Sequence, residues 1–418
     1  MRSAGGSVAV RTSTVNSRPL LLTASVPGPG RWGVAARHGL SLWAITTTAY
    51  LALAALAQAV GIERRHYPTA SAASWPFQVY ARFDAGHFLR IARYGYYGPH
   101  TNRVAPAFFP GCPLAGRGLA RMFSVGQPSL SSYLIAMGLL SWVGTAIAAV
   151  LLWRLAADQA GETVATAAVG VLLAGPYSVF LISSYSEGPY LALALGAWVA
   201  ARDDRWLLAS SCAALGASTR ISGLFLGCAL VVLYLHSRRT QHRRRRAVEL
   251  AALSAPFLTV AGYFAWLHAH TGSWSTWFEA QRHGWGRHTV SPVKSFLSSV
   301  HRIDGFHFHD PRLIAALRFQ SAMEVVFAVG LIAAVVLLVS RSRWAEATYV
   351  GLTALSLLTS TFYLSVPRNL LTCFPIAVLV GQWLVRHRHR ASRFVLVAVL
   401  FAVVLINAAS MLSEYWAG

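Results

Sequence analysis

The residues Arg82-Phe83-Asp84-Ala85-Gly86-His87-Phe88-Leu89-Arg90 hold the combination most able to do chemistry in this chain of 418 residues. Asp84 is the only carboxylate between Glu63 and Asp158. At helical spacing Asp84, His87 and Phe88 share one face, with Arg82, Arg90 and Arg93 on a neighbouring one. Guanidinium neighbours favour the ionised form of a carboxylate, and an ionised carboxylate can take the proton of a hydroxyl as a general base. The same residues would also suit an interfacial amphipathic helix whose Asp only pairs with Arg.

Three further groups could join Asp84. Glu187, in Ser184-Tyr185-Ser186-Glu187-Gly188-Pro189, precedes a proline suited to a first helical turn, near the positive end of that helix. Arg220 interrupts an apolar stretch and Arg368 stands at the end of another, and both offer a planar fork that matches phosphate oxygens. Capping explains Glu187 equally well, and snorkelling explains the two arginines. Trp274, Trp277, Phe278, Glu279, Gln281, Arg282, Trp285 and Arg287 interleave aromatic and polar groups, a pattern that fits carbohydrate contacts or an aromatic interfacial belt. His301, Asp304, His307, His309 and Asp310 match no metal-ligand spacing, so no metal is expected.

The elements that must hold these groups are hydrophobic. The chain is 55% hydrophobic and 12% charged, where a water-soluble domain carries about a quarter charged residues. Apolar stretches near 39–61, 129–153, 163–184, 188–201, 206–217, 221–236, 247–268, 321–340, 344–364, 369–385 and 393–413 predict an all-α polytopic membrane protein of about 11 transmembrane helices, within a range of 9–11. Three of them, 188–201, 206–217 and 221–236, are short for a full crossing. Residues 1–38, rich in Ser, Gly, Pro and Arg, read as a disordered cytoplasmic tail, and 39–418 as a single transmembrane domain. Net charge is +22, and of 36 basic residues only Lys294 is lysine. The arginines cluster between apolar spans, so the charge marks topology and no nucleic-acid partner is expected. Arg238-Arg239, Arg243 to Arg246, Arg341-Ser342-Arg343 and Arg386 to Arg390 mark the cytoplasmic side. The N-terminus is then cytoplasmic, and two large loops, about 62–128 and 269–320, face outward together with the C-terminus. Four cysteines without a CxxC pair predict neither a disulfide framework nor a zinc site.

The order of motifs carries a resemblance. Phe83-Asp84-Ala85-Gly86-His87-Phe88 is followed by Gly95-Tyr96, Phe108-Phe109-Pro110, Pro176-Tyr177-Ser178, Ser184-Tyr185-Ser186-Glu187, Ser218-Thr219-Arg220, Trp285-Gly286-Arg287 and Pro367-Arg368. Over roughly 40–385 this series resembles the bacterial relatives of the second mannosyltransferase of glycosylphosphatidylinositol assembly, the PIG-V type, within the C-type (GT-C) membrane glycosyltransferases. The resemblance implies a GT-C-like helical bundle in the cell membrane and inverting transfer from a polyprenyl-phosphate mannose on the extracytoplasmic face. The lipid-linked sugar is then a donor substrate and no cofactor is required. Asp84 would be the catalytic carboxylate with His87 beside it. Glu187, Arg220 and Arg368 occupy matching positions, and together with Arg82, Arg90, Trp285 and Arg287 they are the residues expected to bind substrate or phosphate. The acceptor, whether glycolipid, glycan or protein, is not specified. This chain departs from the family pattern at Arg82, at Gly111-Cys112 and at Asn369. A lipid-linked sugar flippase is the alternative reading, since charged groups within spans could line a path, although no internal repeat is visible.

Overall fold

A computed structural model of the chain describes residues 30–61, 67, 69–237, 243–386 and 390–413. Among the described residues the regular elements are helices, with one isolated antiparallel bridge between Thr289 and Ser360. Residues 1–29 of the expected tail, Arg238, Arg239, and His387 to His389 lie outside the described residues.

Four described helices are long and apolar enough to cross a membrane: Arg31–Ala59, Leu130–Ala160, Arg246–Thr271 and Pro311–Ser340. A fifth is added if Val366–Thr372 and Phe374–Arg386, bent by 88° at Cys373, count as one span. Several of the expected stretches are broken instead of continuous. Gly175-Pro176 divides 163–184 into Glu162–Leu173 and the single turn Val179–Ile182, because proline neither donates to the helical ladder nor lets its predecessor stay helical. The stretch 369–385 breaks at Cys373, which is non-helical, and Pro375, in the first turn of Phe374–Arg386, has no N–H to continue the preceding ladder. The first helix begins at Gly30 and not near 39. Its extension is anchored: Arg31 Nη1 lies 2.8 Å from Asp158 Oδ1, and the Trp32 ring lies 3.9 Å from the Arg154 guanidinium.

The Leu130–Ala160 helix is the centre of the bundle and packs against Gly30–Ala59, Gly111–Met122, Glu162–Leu173 and Glu187–Arg202. Its crossing with Glu187–Arg202 is glycine on glycine. A Cβ at Gly144 would lie 2.6 Å from the Pro189 nitrogen, and one at Gly188 would lie 2.5 Å from the Ser141 carbonyl oxygen. That close approach sets where Glu187 stands. The outer faces are apolar as well. Val326, Val329, Ile332 and Val336 form an exposed stripe on Pro311–Ser340, while Glu324, Ala328, Leu331 and Leu338 on the other side are buried. An exposed apolar stripe at helical spacing is the surface that lipid covers.

Gly144→Val should destabilise the protein by about 1–3 kcal/mol through overpacking. Gly170→Val, where nothing lies within 4 Å of the added Cβ, tests position against composition. Thermal unfolding in detergent should show a clear loss for the first and little for the second; equal losses would contradict the close crossing.

Candidate active site

The turn before Asp84 decides where its neighbours go. Phe83 caps the Asp84–Tyr94 helix with φ 52° and ψ −115°, an unusual conformation for a residue with a side chain. Arg82 therefore lies outside the helix and is only 2% exposed, and its carbonyl accepts a hydrogen bond from the Tyr185 hydroxyl at 2.9 Å. Asp84 opens the helix, and with Phe88 it faces a cavity of about 660 Å³. His87 stacks on Phe108 with ring centroids 4.9 Å apart and lies 6.4 Å from Trp285. Arg90 is exposed and is not on the cavity wall.

Four charged residues that are remote in sequence meet beside this cavity. Arg368 Nη1 donates to Asp84 Oδ2 at 2.6 Å, and its Nε donates to Glu187 Oε1 at 2.5 Å. Arg220 Nη1 donates to the same Glu187 oxygen at 2.6 Å and to Ser186 Oγ at 3.0 Å. Arg220 Nη2 donates to Asn369 Oδ1 at 2.7 Å. The Arg368 guanidinium lies 4.4 Å from the centroid of Tyr185 and 5.1 Å from that of Phe180, so aromatic faces complete its surroundings. Glu187 is fully buried, which only this double pairing makes tolerable. Each carboxylate and guanidinium sits at or beside a helix end: Asp84 and Glu187 in first turns, Arg220 just after Trp206–Thr219, and Arg368 in the seven-residue helix Val366–Thr372.

The cluster balances itself, two cations against two anions. Arg287 stands apart. It lines the cavity, its Nη2 donates to the Leu364 carbonyl at 2.6 Å, and its Nε has no partner. Among the described residues no carboxylate oxygen lies within 4.0 Å of it. Burial pulls its guanidinium below the ordinary value, against the opposing pull of Glu324 and Asp84. The far wall of the cavity is mixed, with Ile221, Phe225, Trp277 and Phe278 beside Glu279, Gln281 and Arg282. A space of this size accepts a sugar with part of an attached chain. Among the described residues no group of three or more His, Cys, Asp or Glu converges to hold a metal.

The cavity wall thus includes Asp84, Arg220, Trp285, Arg287 and Arg368, and Glu187 stands directly behind it. Arg82 is buried before the helix start and Arg90 is exposed, and neither lies on the cavity wall. One residue escaped the sequence reading. Glu324, on Pro311–Ser340, accepts the backbone N–H groups of Ser365 and Val366, just ahead of Arg368. Its signal was present in the sequence, as the lone carboxylate in the 321–340 apolar stretch.

No protein-family model matches the chain. It is similar to the GPI alpha-1,6-mannosyltransferase 2 of Cricetulus griseus, of Mus musculus and of Rattus norvegicus. In each case it is 33% identical over 148 residues, which is 34% of this chain and 29% of the relative. The match therefore spans less than a third of the relatives' length. It supports a mannosyltransferase-like family, and the apolar helices support a membrane protein.

Two measurements probe the site. Glu187→Gln leaves two buried guanidinium groups short of a counter-charge and should cost about 3–5 kcal/mol in detergent unfolding. Glu279→Gln, on an exposed residue, should change stability little. A Glu187→Gln loss below 1 kcal/mol would show that the pairing is weak.

Burial also pulls the His87 imidazole below its ordinary value, against the opposing pull of Asp84. As pH falls through about 6.5, the unfolded chain takes up a proton that the folded chain resists, and stability is lost on the acid side. His87→Phe keeps a ring against Phe108 and should flatten part of the melting-temperature decline between about pH 7.5 and 5.5. Superimposable curves would contradict a buried neutral imidazole.

Proposed function

We propose that this protein is an integral membrane mannosyltransferase that moves mannose from a polyprenyl-phosphate donor to an acceptor hydroxyl on the extracytoplasmic face. The observation that carries the reading is the Asp84 carboxylate on the wall of a sugar-sized cavity, hydrogen-bonded to Arg368 within the same charged cluster. In this reading the chain from Gly30 onward forms one GT-C-like bundle of about 11 spans in the cell membrane, with the N-terminus cytoplasmic. The lipid-phosphate sugar is a substrate, and no cofactor takes part. The partial likeness to GPI alpha-1,6-mannosyltransferase 2 supports the choice of mannose.

The acceptor oxygen attacks the anomeric carbon as the bond from that carbon to the phosphate oxygen breaks. The acceptor proton passes to Asp84 as general base, and the donor lipid leaves as its phosphate, with inversion at the anomeric carbon. Oδ2 of Asp84 is taken up by Arg368, while Oδ1 accepts no hydrogen bond from a described residue and is the oxygen suited to the proton. The charge balance decides which arginine meets the phosphate first. Arg220 and Arg368 are already engaged by Glu187 and Asp84, whereas Arg287 has no carboxylate pairing. Arg287 therefore receives the donor phosphate. As Asp84 takes the proton its charge is lost, and Arg368 is left with a surplus just as the leaving phosphate gains negative charge. One proton transfer thus moves electrostatic stabilisation from the base to the leaving group. His87 stacks on the wall residue Phe108 and so supports the wall near Asp84.

Membranes supplied with radiolabelled polyprenyl-phosphate-mannose should transfer label to a glycolipid, glycan or protein fraction. Asp84→Asn should lower that transfer by about 10²–10⁴-fold at an unchanged level of protein in the membrane. Near-wild-type turnover in this variant would refute the assignment of the base.

A further inference from the structure

We infer that Glu324 is a positioning residue for the reaction: it fixes the backbone from which Arg368 reaches Asp84 and Glu187. Glu324 Oε1 accepts the Ser365 N–H at 2.6 Å, and Oε2 accepts the Val366 N–H at 2.8 Å. Both carboxylate oxygens are thus spent on adjacent amides immediately before Arg368. Ser365 has φ 61° and ψ 27°, the left-handed region that a residue with a side chain occupies only under constraint. The segment leaves that conformation unless something holds it, and the two charge-assisted hydrogen bonds do so. Glu324 is 6% exposed and is not on the cavity wall, so it does not touch substrate, and both its hydrogen bonds go to the backbone ahead of Arg368.

The location argues against a merely stabilising role. A carboxylate on a long apolar helix is costly at membrane depth, and an apolar residue there would pack without that cost. What an apolar residue cannot do is hold two N–H groups ahead of a short helix. That helix carries both Arg368 and Asn369, and these reach Asp84, Glu187 and Arg220. Glu324 thereby sets the geometry of the cluster from an element that contributes no other residue to it.

The kinetic arms of the test rest on the transferase reading, whereas the exchange arm does not. Glu324→Gln keeps size and shape but turns an amide donor toward one of the two N–H groups. Glu324→Asp keeps both acceptors on a shorter stem and should retain an intermediate activity. Hydrogen exchange followed by mass spectrometry on detergent-solubilised protein should show protection at Ser365 and Val366 in the wild type. Glu324→Gln should exchange there at least about tenfold faster, with the long helices unchanged. Turnover of polyprenyl-phosphate-mannose should fall about 10–10²-fold, with the donor KM within about twofold. In an Arg368→Lys background Glu324→Gln should add less than about twofold, because both changes act through one residue. Unchanged exchange at Ser365 and Val366 overturns the clamp. Faster exchange with unchanged turnover, or losses that multiply in the double variant, overturns the positioning role. If Glu324→Gln does not accumulate, Glu324→Asp decides on the same readouts. A wild type that transfers no mannose sinks the transferase reading, and the exchange arm still decides whether Glu324 holds this backbone.

Discussion

Glu187 shared between Arg220 and Arg368 is the interaction on which the rest of the structure depends. A buried carboxylate without partners would cost several kcal/mol or lose its charge, and two buried guanidinium groups without it would fare no better. The three side chains come from three separate helices, so the pairing cannot form until those helices are packed. The glycine contact between Gly144 and Gly188 brings the first turn of Glu187–Arg202 against the central helix and thereby sets the depth of Glu187. Arg220 and Arg368 enter from helix ends. A helix end within an apolar bundle exposes backbone groups that must find partners. They do so locally: Thr145 Oγ1 and Ser141 Oγ donate to the Leu181 carbonyl, Trp142 Nε1 donates to the Ile182 carbonyl, and the Tyr349 hydroxyl donates to the Thr372 carbonyl. The broken helices and the charged cluster are one arrangement, because chain breaks give arginine and glutamate access to the interior and polar neighbours make those breaks tolerable.

In the proposed reaction that arrangement lets a general base work beside a cation that faces the donor phosphate. If Asp84 and a donor phosphate met with no cation between them, two anions would repel each other at the point of reaction. Arg368 Nη1 donates to Oδ2 of Asp84, and Glu187 holds the guanidinium there by its Nε. The cation is therefore fixed before substrate arrives, and electrostatic stabilisation of this kind is strongest when the donors need not reorganise. Arg287 contributes differently. Its bond to the Leu364 carbonyl pins one nitrogen and leaves the group without a carboxylate partner, which is the condition for capturing a mobile anion.

The residues that meet beside the cavity are more legible in the sequence than the limits of the helices. Asp84 was conspicuous because no other carboxylate lies near it, and Glu187, Arg220 and Arg368 because each interrupts an apolar run. Polar residues that break an apolar pattern are costly, so their positions carry information about function. The convergence of those residues was not legible, since it depends on crossing angles and on a glycine contact that periodicity does not encode. Arg82 misled for a local reason: a helix extended backward from Asp84 places it beside Arg90, but the turn at Phe83 sends it into the core. The limits of the elements were misjudged where proline acts, at Pro176 and Pro375, because a hydropathy window averages over a single break. The Ser, Gly, Pro and Arg content of 1–38 places the start of the first helix near 39, whereas Arg31 and His38 already lie in it. They belong to the bundle through Asp158 and through a stack of His38 on Trp153 at 5.1 Å.

The two halves of the Asp84–Arg368 pair share one further property. Each is preceded by a residue other than glycine with positive φ: Phe83 directly before Asp84, and Ser365 three positions before Arg368. Such residues cost of order 1–3 kcal/mol each, and they persist only where surrounding contacts over-determine them. At Ser365 the contact is Glu324; at Phe83 the adjacent backbone is held by Tyr185, which donates to the Arg82 carbonyl and also lies beneath the Arg368 guanidinium. Strain on one side of the ion pair is therefore tied through Tyr185 to the position of the cation on the other. The geometry that both turns preserve is the approach of one carboxylate to one guanidinium at the wall of a cavity, and that approach is what a proton-accepting site requires.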